Sequence, residues 1–260
     1  MAWDAAVYDN RVGREWRPLQ DTTNDPIISR RRDIPWTSWQ RSEDYYWEGL
    51  LLWLDADTLI RERSAGKRSL DDFARAFFGV NDGDWGQLTY TFDDVVRTLN
   101  AVEPYDWTGF LRARLDEVSP RAPLDGLARG GYKLVYSETP TDFAKAEEIR
   151  RKVTDLSYSL GATIDGTGKF TAVLWDGPAF RAGFTSDVQI VAVNSVAFDG
   201  ERLRAAVKST KGNGPAIELL VKQGDQYRTV RMNYHEGLRY PRLERIDGST
   251  ARLDDILTPR

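Results

Sequence analysis

The chain has 260 residues, 41% of them apolar and 29% charged, with a net charge of -4 and a pI near 5.3. Such a composition fits one large globular domain or two ordinary ones, excludes a disordered chain, and lacks the basic excess expected of a nucleic-acid partner. Cysteine is absent and histidine occurs once, at His235, so disulfides, thiolate chemistry and any zinc site resting on two imidazoles are excluded.

The longest apolar run, residues 49–54, is far shorter than the roughly 20 residues of a membrane span. The first residues carry neither a basic flank nor an apolar stretch, so no signal peptide is expected there. Residues 1–40 show poor periodicity, broken by Pro18, Pro26 and Pro35 and by the basic run Arg30-Arg-Arg32. Trp16, Trp36 and Trp39 in such a stretch predict an extended arm laid on another surface, because large aromatics cover area at low side-chain entropy cost. The three arginines, flanked by Asp25 and Asp33, read as local ion pairs.

Helices are expected next. Ser42, with Glu43 and Asp44 behind it, has the composition of an N-cap followed by an acidic first turn. Tyr45, Gly49, Leu52, Ala56, Leu59 and Ile60 then recur at helical spacing. Ser69-Leu-Asp-Asp-Phe73 and Thr91-Phe-Asp-Asp-Val95 are two similar helix starts, each a hydroxyl with a carboxylate three residues on. The first leads through Phe73, Phe77 and Phe78 to a stop at Gly79, the second through Val95, Val96 and Leu99. Asp106 opens a helix bearing Trp107, Phe110, Leu111 and Leu115, expected to run to Pro120. The paired aspartates could resemble metal ligands, but capping accounts for them more simply. Glu48 and Asp55, seven apart, read as a solvated helix face rather than as a catalytic carboxylate pair.

Beyond about residue 150 the composition changes. Residues 1–150 carry 20 basic and 27 acidic side chains, whereas 151–260 carry 16 and 13, and eight of the nine tryptophans precede residue 108. A boundary is therefore expected at 150–155. Residues 156–165 and 169–175 read as strands, 179–182 as a short helix closed by Gly183, and 187–194 as an alternating strand. Residues 199–209 read as a helix with Leu203, Ala206 and Val207 on one face, and 216–222 with 227–232 as a hairpin. This order predicts a small, partly open barrel flanked by two helices. The expected class is α+β, divided into an arm (1–40), a helical part (41–152), a barrel (153–234) and a tail (235–260). His235, with no orienting partner beside it, reads as a surface or hydrogen-bonding histidine.

Ser159-Leu-Gly-Ala162 entering a strand, then Val173-Leu-Trp-Asp-Gly-Pro-Ala-Phe-Arg-Ala-Gly-Phe184, then Gln189-Ile-Val-Ala-Val-Asn194, resembles a bacterial PDZ domain, with Asn194-Ser195 where that family often has Asn-Gly. PDZ domains bind extended peptides by adding a strand to a sheet edge. The resemblance implies that Ser159, Leu160 and Gly161 form a carboxylate loop. It also implies that Ala162, Thr163 and Ile164 form the edge that pairs with the ligand, and that Leu203, Ala206 and Val207 line the opposite wall. As a bare tripeptide, Ser159-Leu-Gly161 would be only a turn. The occupant could be a peptide or protein substrate, or an internal segment of the same protein.

The first part is similar to the region after the active site in the glycyl aminopeptidase family, gluzincin zinc metallopeptidases that end in a PDZ domain. The residues carrying this are Arg17-Pro-Leu-Gln-Asp-Thr-Thr-Asn-Asp-Pro26, Trp39-Gln-Arg-Ser-Glu-Asp-Tyr-Tyr46, Trp53-Leu-Asp-Ala-Asp-Thr-Leu-Ile-Arg-Glu62, Ser69-Leu-Asp-Asp-Phe-Ala-Arg-Ala-Phe-Phe-Gly79 and Tyr240-Pro-Arg-Leu-Glu-Arg-Ile246. The His-Glu-x-x-His ligands of that family are missing, so the chain is expected to be a C-terminal portion that holds no cofactor of its own, the zinc belonging to the complete enzyme. Tyr46-Trp47-Glu48-Gly49 matches the Tyr-x-x-Gly motif whose tyrosine stabilises the oxyanion in related aminopeptidases; a core aromatic is the alternative. The resemblance further implies an exported or periplasmic protein. The other open reading is a stand-alone PDZ adaptor that binds protein C-termini without catalysis.

Overall fold

The computed structural model describes residues 1–25, 36–80 and 83–259. Pro26, Pro35, the run Arg30 to Arg32 and Asp33 lie outside the described residues. Described in chain order, the helical part comprises α1 (Ala2–Asp9), two 3-10 turns (Val12–Glu15 and Gln20–Asn24), α2 (Thr37–Gln40), α3 (Trp47–Arg63), α4 (Leu70–Phe78), α5 (Phe92–Val102), α6 (Trp107–Leu115) and α7 (Asp125–Arg129). There follow β1 (Tyr132–Ser137), α8 (Asp142–Arg151), β2 (Val153–Leu156), β3 (Ala162–Asp165), β4 (Phe170–Val173), α9 (Pro178–Arg181), β5 (Gln189–Val193), β6 (Val196–Ala197), α10 (Gly200–Ser209), β7 (Ile217–Gln223), β8 (Gln226–Met232), β9 (Tyr240–Arg245) and α11 (Arg252–Leu257). The class is α+β. No described helix is long and apolar enough to cross a membrane.

The paired aspartates cap. Ser69 accepts from the Asp71 N–H while the Asp72 carboxylate accepts from the Ser69 N–H at 2.9 Å, and Asp94 returns the same bond to Thr91 at 2.8 Å. Ser42 does not cap. The helix begins five residues later at Trp47, because Arg41 and Glu43 take left-handed φ values of 53° and bend the chain into a turn. Helix α3 is also more central than a single stripe suggests: Leu51, Leu52 and every residue from Leu54 to Ile60 are buried. Gly126 of α7 makes this possible on one side, since a Cβ there would lie 2.6 Å from the Asp55 amide nitrogen. Helix α6 stops at Leu115 rather than at Pro120, and the loop beyond it is tied back by the Ser119 N–H donating to the Arg14 carbonyl at 3.0 Å.

One apolar cluster joins α3, α4, α5 and α6 through Leu52, Ile60, Phe73, Leu99 and Trp107. A second joins α1, α3, α7 and α11, and it packs against Leu134 and Leu243 of β1 and β9. These two strands pair antiparallel from Tyr132↔Arg245 to Ser137↔Tyr240. The C-terminal residues therefore return to the helical part.

The second part has its own core, running from Leu156 to Tyr234. Two antiparallel sheets, β2-β3-β4 and β6-β5-β7-β8, wrap it. They meet at one corner, where Lys169 bridges Gln189 and the Phe170 N–H donates to the Val188 carbonyl at 3.0 Å. No closed barrel forms. Residues 156–165, expected as one strand, are instead the end of β2, a turn, and β3. The turn is nucleated by the Asp155 carboxylate, which accepts from both the N–H and the hydroxyl of Ser157.

The arm is not extended throughout, since α1 and the 3-10 turns occupy much of it. Its tryptophans do lie on another surface. Trp16 packs on Trp39 at 5.0 Å, Trp39 on Trp175 at 5.4 Å, and Trp36 on Trp175 and Phe180 at 5.5 and 5.3 Å. The Trp175 N–H also donates to the Ser38 hydroxyl at 3.0 Å. This clamp joins the arm to the strand-rich part.

Candidate functional site

Tyr46 sits at the N-cap of α3 and is 57% exposed, its ring against Tyr45 at 4.4 Å. It is not a core aromatic. Its sequence neighbours Asp44 and Glu48 belong to a buried ionic cluster. Glu48, 1% exposed, binds Arg14 and, at 2.6 Å, Arg41; Arg41, also 1% exposed, reaches Asp44 at 3.0 Å, and Asp44 faces Arg11 at 3.5 Å. Arg41 further donates to the Arg17 carbonyl at 2.7 Å. The arm and the loop before α3 are thus bolted together at the start of that helix, around the sequence neighbours of the tyrosine. Removing four charges from water is costly unless each is paired, and here geometry supplies the pairing.

Gly49 is the other end of the motif. Among the described residues, nothing beyond its own helix backbone and chain neighbours comes within 4 Å of the position its Cβ would take. Glycine inside a helix costs about 0.5–1 kcal/mol relative to alanine, and no crowding among the described residues requires it. Tyr46 and Gly49, three apart, therefore share one open face of the first turn.

The expectation that Glu48 and Asp55 form a solvated face is overturned. Both are buried, and Asp55 is held by Arg114 and Arg129. Periodicity missed this because Arg14, Arg114 and Arg129 come from segments distant in sequence, and only Arg41, seven residues before Glu48, was a nearby signal. Among the described residues no group of three or more His, Cys, Asp or Glu could hold a metal ion. His235 is exposed, its Nδ1 lying 3.3 Å from the Thr210 carbonyl.

The second candidate is the groove expected between β3 and α10. Ala162, Thr163 and Ile164 are indeed in a strand, and Leu203, Ala206 and Val207 share its core. The edge of β3, however, is already paired. Strand β2 runs antiparallel along it in the register Val153↔Asp165, Thr154↔Ile164, Asp155↔Thr163, Leu156↔Ala162, while β4 takes the other side. The loop amides are engaged as well. The N–H groups of Ser159 and Gly161 both donate to the Leu156 carbonyl at 3.0 Å. Leu160 is buried, and its carbonyl accepts from Ala179 at 2.8 Å. Gly161 holds φ +73° with Gly177 and Pro178 pressed against it, a conformation and a proximity that suit glycine. Burial raises the Tyr158 phenol well above its ordinary value and pushes Tyr234 up to about 12.

Over 97% of its length the chain matches, at 16% identity and a TM-score of 0.58, the crystal structure of an aminopeptidase N family protein from Idiomarina loihiensis. It covers 44% of that protein, less than half its length. The likeness is one of fold. No protein-family model and no curated protein matches the chain.

Proposed function

We propose that this chain is the C-terminal part of a zinc-dependent aminopeptidase of the glycyl aminopeptidase kind. In this reading the helical part flanks the cleft and presents Tyr46, and the strand-rich part is a PDZ module docked beside it. The observation that carries the reading is the exposed phenol at the head of α3, between the buried Asp44 and Glu48 in sequence and three residues before an open glycine, in a chain with the fold of part of an aminopeptidase N family protein.

The described residues do not fit zinc: the buried carboxylates Glu48 and Asp55 are committed to arginines. In this reading zinc and its ligands belong to the rest of the enzyme. The role of this chain's Tyr46 is to donate its phenolic proton in a hydrogen bond to the oxyanion that develops at the scissile carbonyl. In this reading the complete enzyme is an exported or periplasmic one, as the sequence resemblance implies.

The test is to join the chain to its His-Glu-x-x-His segment and assay peptides with N-terminal glycine or alanine. Tyr46→Phe should lower kcat by about 10²–10³ while leaving KM nearly unchanged. A joined enzyme that binds zinc yet cleaves none of these peptides sinks the substrate assignment; full activity in Tyr46→Phe sinks the tyrosine's role. The stand-alone adaptor is the weaker reading, because the edge it needs is paired by β2.

A further inference from the structure

The position of β2 goes beyond pairing. Four features of Thr154-Asp155-Leu156 are those of a bound peptide end. The strand adds antiparallel to the β3 edge. The Leu156 side chain is 1% exposed and shares a core with Leu160, Leu203 and Val207. The Leu156 carbonyl oxygen collects the two converging amides of Ser159 and Gly161, where one oxygen of a terminal carboxylate would be held. The Thr154 hydroxyl abuts Gly200, the first residue of α10, so closely that a Cβ there would collide with it.

A latch closes the outer side. The Glu148 carboxylate of α8 accepts from the Asp155 N–H at 2.7 Å and binds Arg204 of α10 at 2.6 Å. Asp155, between the two inward residues, turns to the surface and meets Arg151 at 3.4 Å. Alternation along the strand thus sorts Thr154 and Leu156 inward and Asp155 outward.

We propose that β2 is a built-in ligand: the groove between β3 and α10 is shaped for an extended segment ending in Thr-x-Leu, and the chain fills it from within. A free C-terminus of that form enters only when β2 leaves. The tethered strand acts at an effective concentration on the order of mM. A peptide that binds the open groove at about 10 μM therefore appears about 100-fold weaker against the closed chain.

The probe is a peptide copying residues 152–156, Lys-Val-Thr-Asp-Leu, with a free carboxylate, titrated against the whole chain by calorimetry. Wild type should bind it about 100-fold more weakly than Leu156→Ser, which empties the apolar pocket without filling it. Adding Gly200→Val to Leu156→Ser should abolish binding by obstructing the threonine position. Equal affinity in wild type and Leu156→Ser, or no binding to a folded Leu156→Ser, overturns the proposal. If that variant does not fold, amide exchange on wild type decides: Ser159 and Gly161 should exchange slowly and be unchanged by the peptide, and exchange at open-loop rates overturns it.

Discussion

Replacing Glu48 by alanine offers the sharpest test of the buried ionic cluster at the start of α3. The substitution leaves Arg14 and Arg41 without their shared carboxylate, and Arg41 has almost no solvent exposure with which to compensate. Breaking one partner from a buried charge cluster costs about 3–5 kcal/mol, a large share of the 5–15 kcal/mol that holds a typical protein folded. Glu48→Gln should cost less, since an amide oxygen still accepts from one arginine. Because the cluster is buried, the loss should persist in 1 M salt, where the Debye length is about 3 Å and exposed pairs are screened. Urea unfolding followed by tryptophan fluorescence reads this directly, as most tryptophans lie in the arm and helices. The double variant Arg41→Ala/Glu48→Ala should cost clearly less than the sum of the singles. A Glu48→Ala shift below about 1 kcal/mol, or one that vanishes in high salt, would refute the reasoning, since a screened surface pair contributes at that level.

Other expectations follow from packing and burial. Gly126→Ala should destabilise by about 1–3 kcal/mol through overpacking against the Asp55 backbone, measured by urea titration. Trp175→Ala removes three ring contacts, worth about 0.5–1.5 kcal/mol each beyond area, and should split thermal unfolding into two steps. Tyr46→Phe should leave the stability of the chain within about 0.5 kcal/mol, because the ring is exposed. Burial raises the phenols of Tyr8, Tyr158 and Tyr234, the last to about 12, against about 10 when unfolded. The folded state therefore prefers the neutral phenol. Its contribution is complete below pH 10 and is lost as pH rises from 10 through 12, which urea titrations across that range will show.

Local chemistry was readable where it is short-range. The capping boxes at Ser69 and Thr91 stand at the expected residues, the helix read over 199–209 forms behind Asp199, and the β7–β8 hairpin closes around Gly224. Failures came where distant segments decide. Ser42 looked like a cap, but its neighbours bend to bury Arg41. Helix α8 escaped notice because no side chain on it is buried, and β1 and β9 because each finds its partner about a hundred residues away. Ala162–Ile164 lie in a strand and Leu203, Ala206 and Val207 in a helix, the element types read for them from the sequence. That β2 would occupy the edge could not be read from the alternation of one strand, because the same pattern serves an open edge and a filled one.

The pairing of β1 with β9 makes the helical region discontinuous in sequence. The strand-rich region departs from one strand of that ribbon and comes back on the other, with Ser137 beside Tyr240 at the junction, so it is tethered twice rather than hung from a single hinge. Trimming the gene at the compositional boundary would therefore not release a clean helical piece. It would strip β1 of its neighbour and bare Leu134. An excision that keeps both strands, joining them by a short turn across the gap, is the cut this architecture permits.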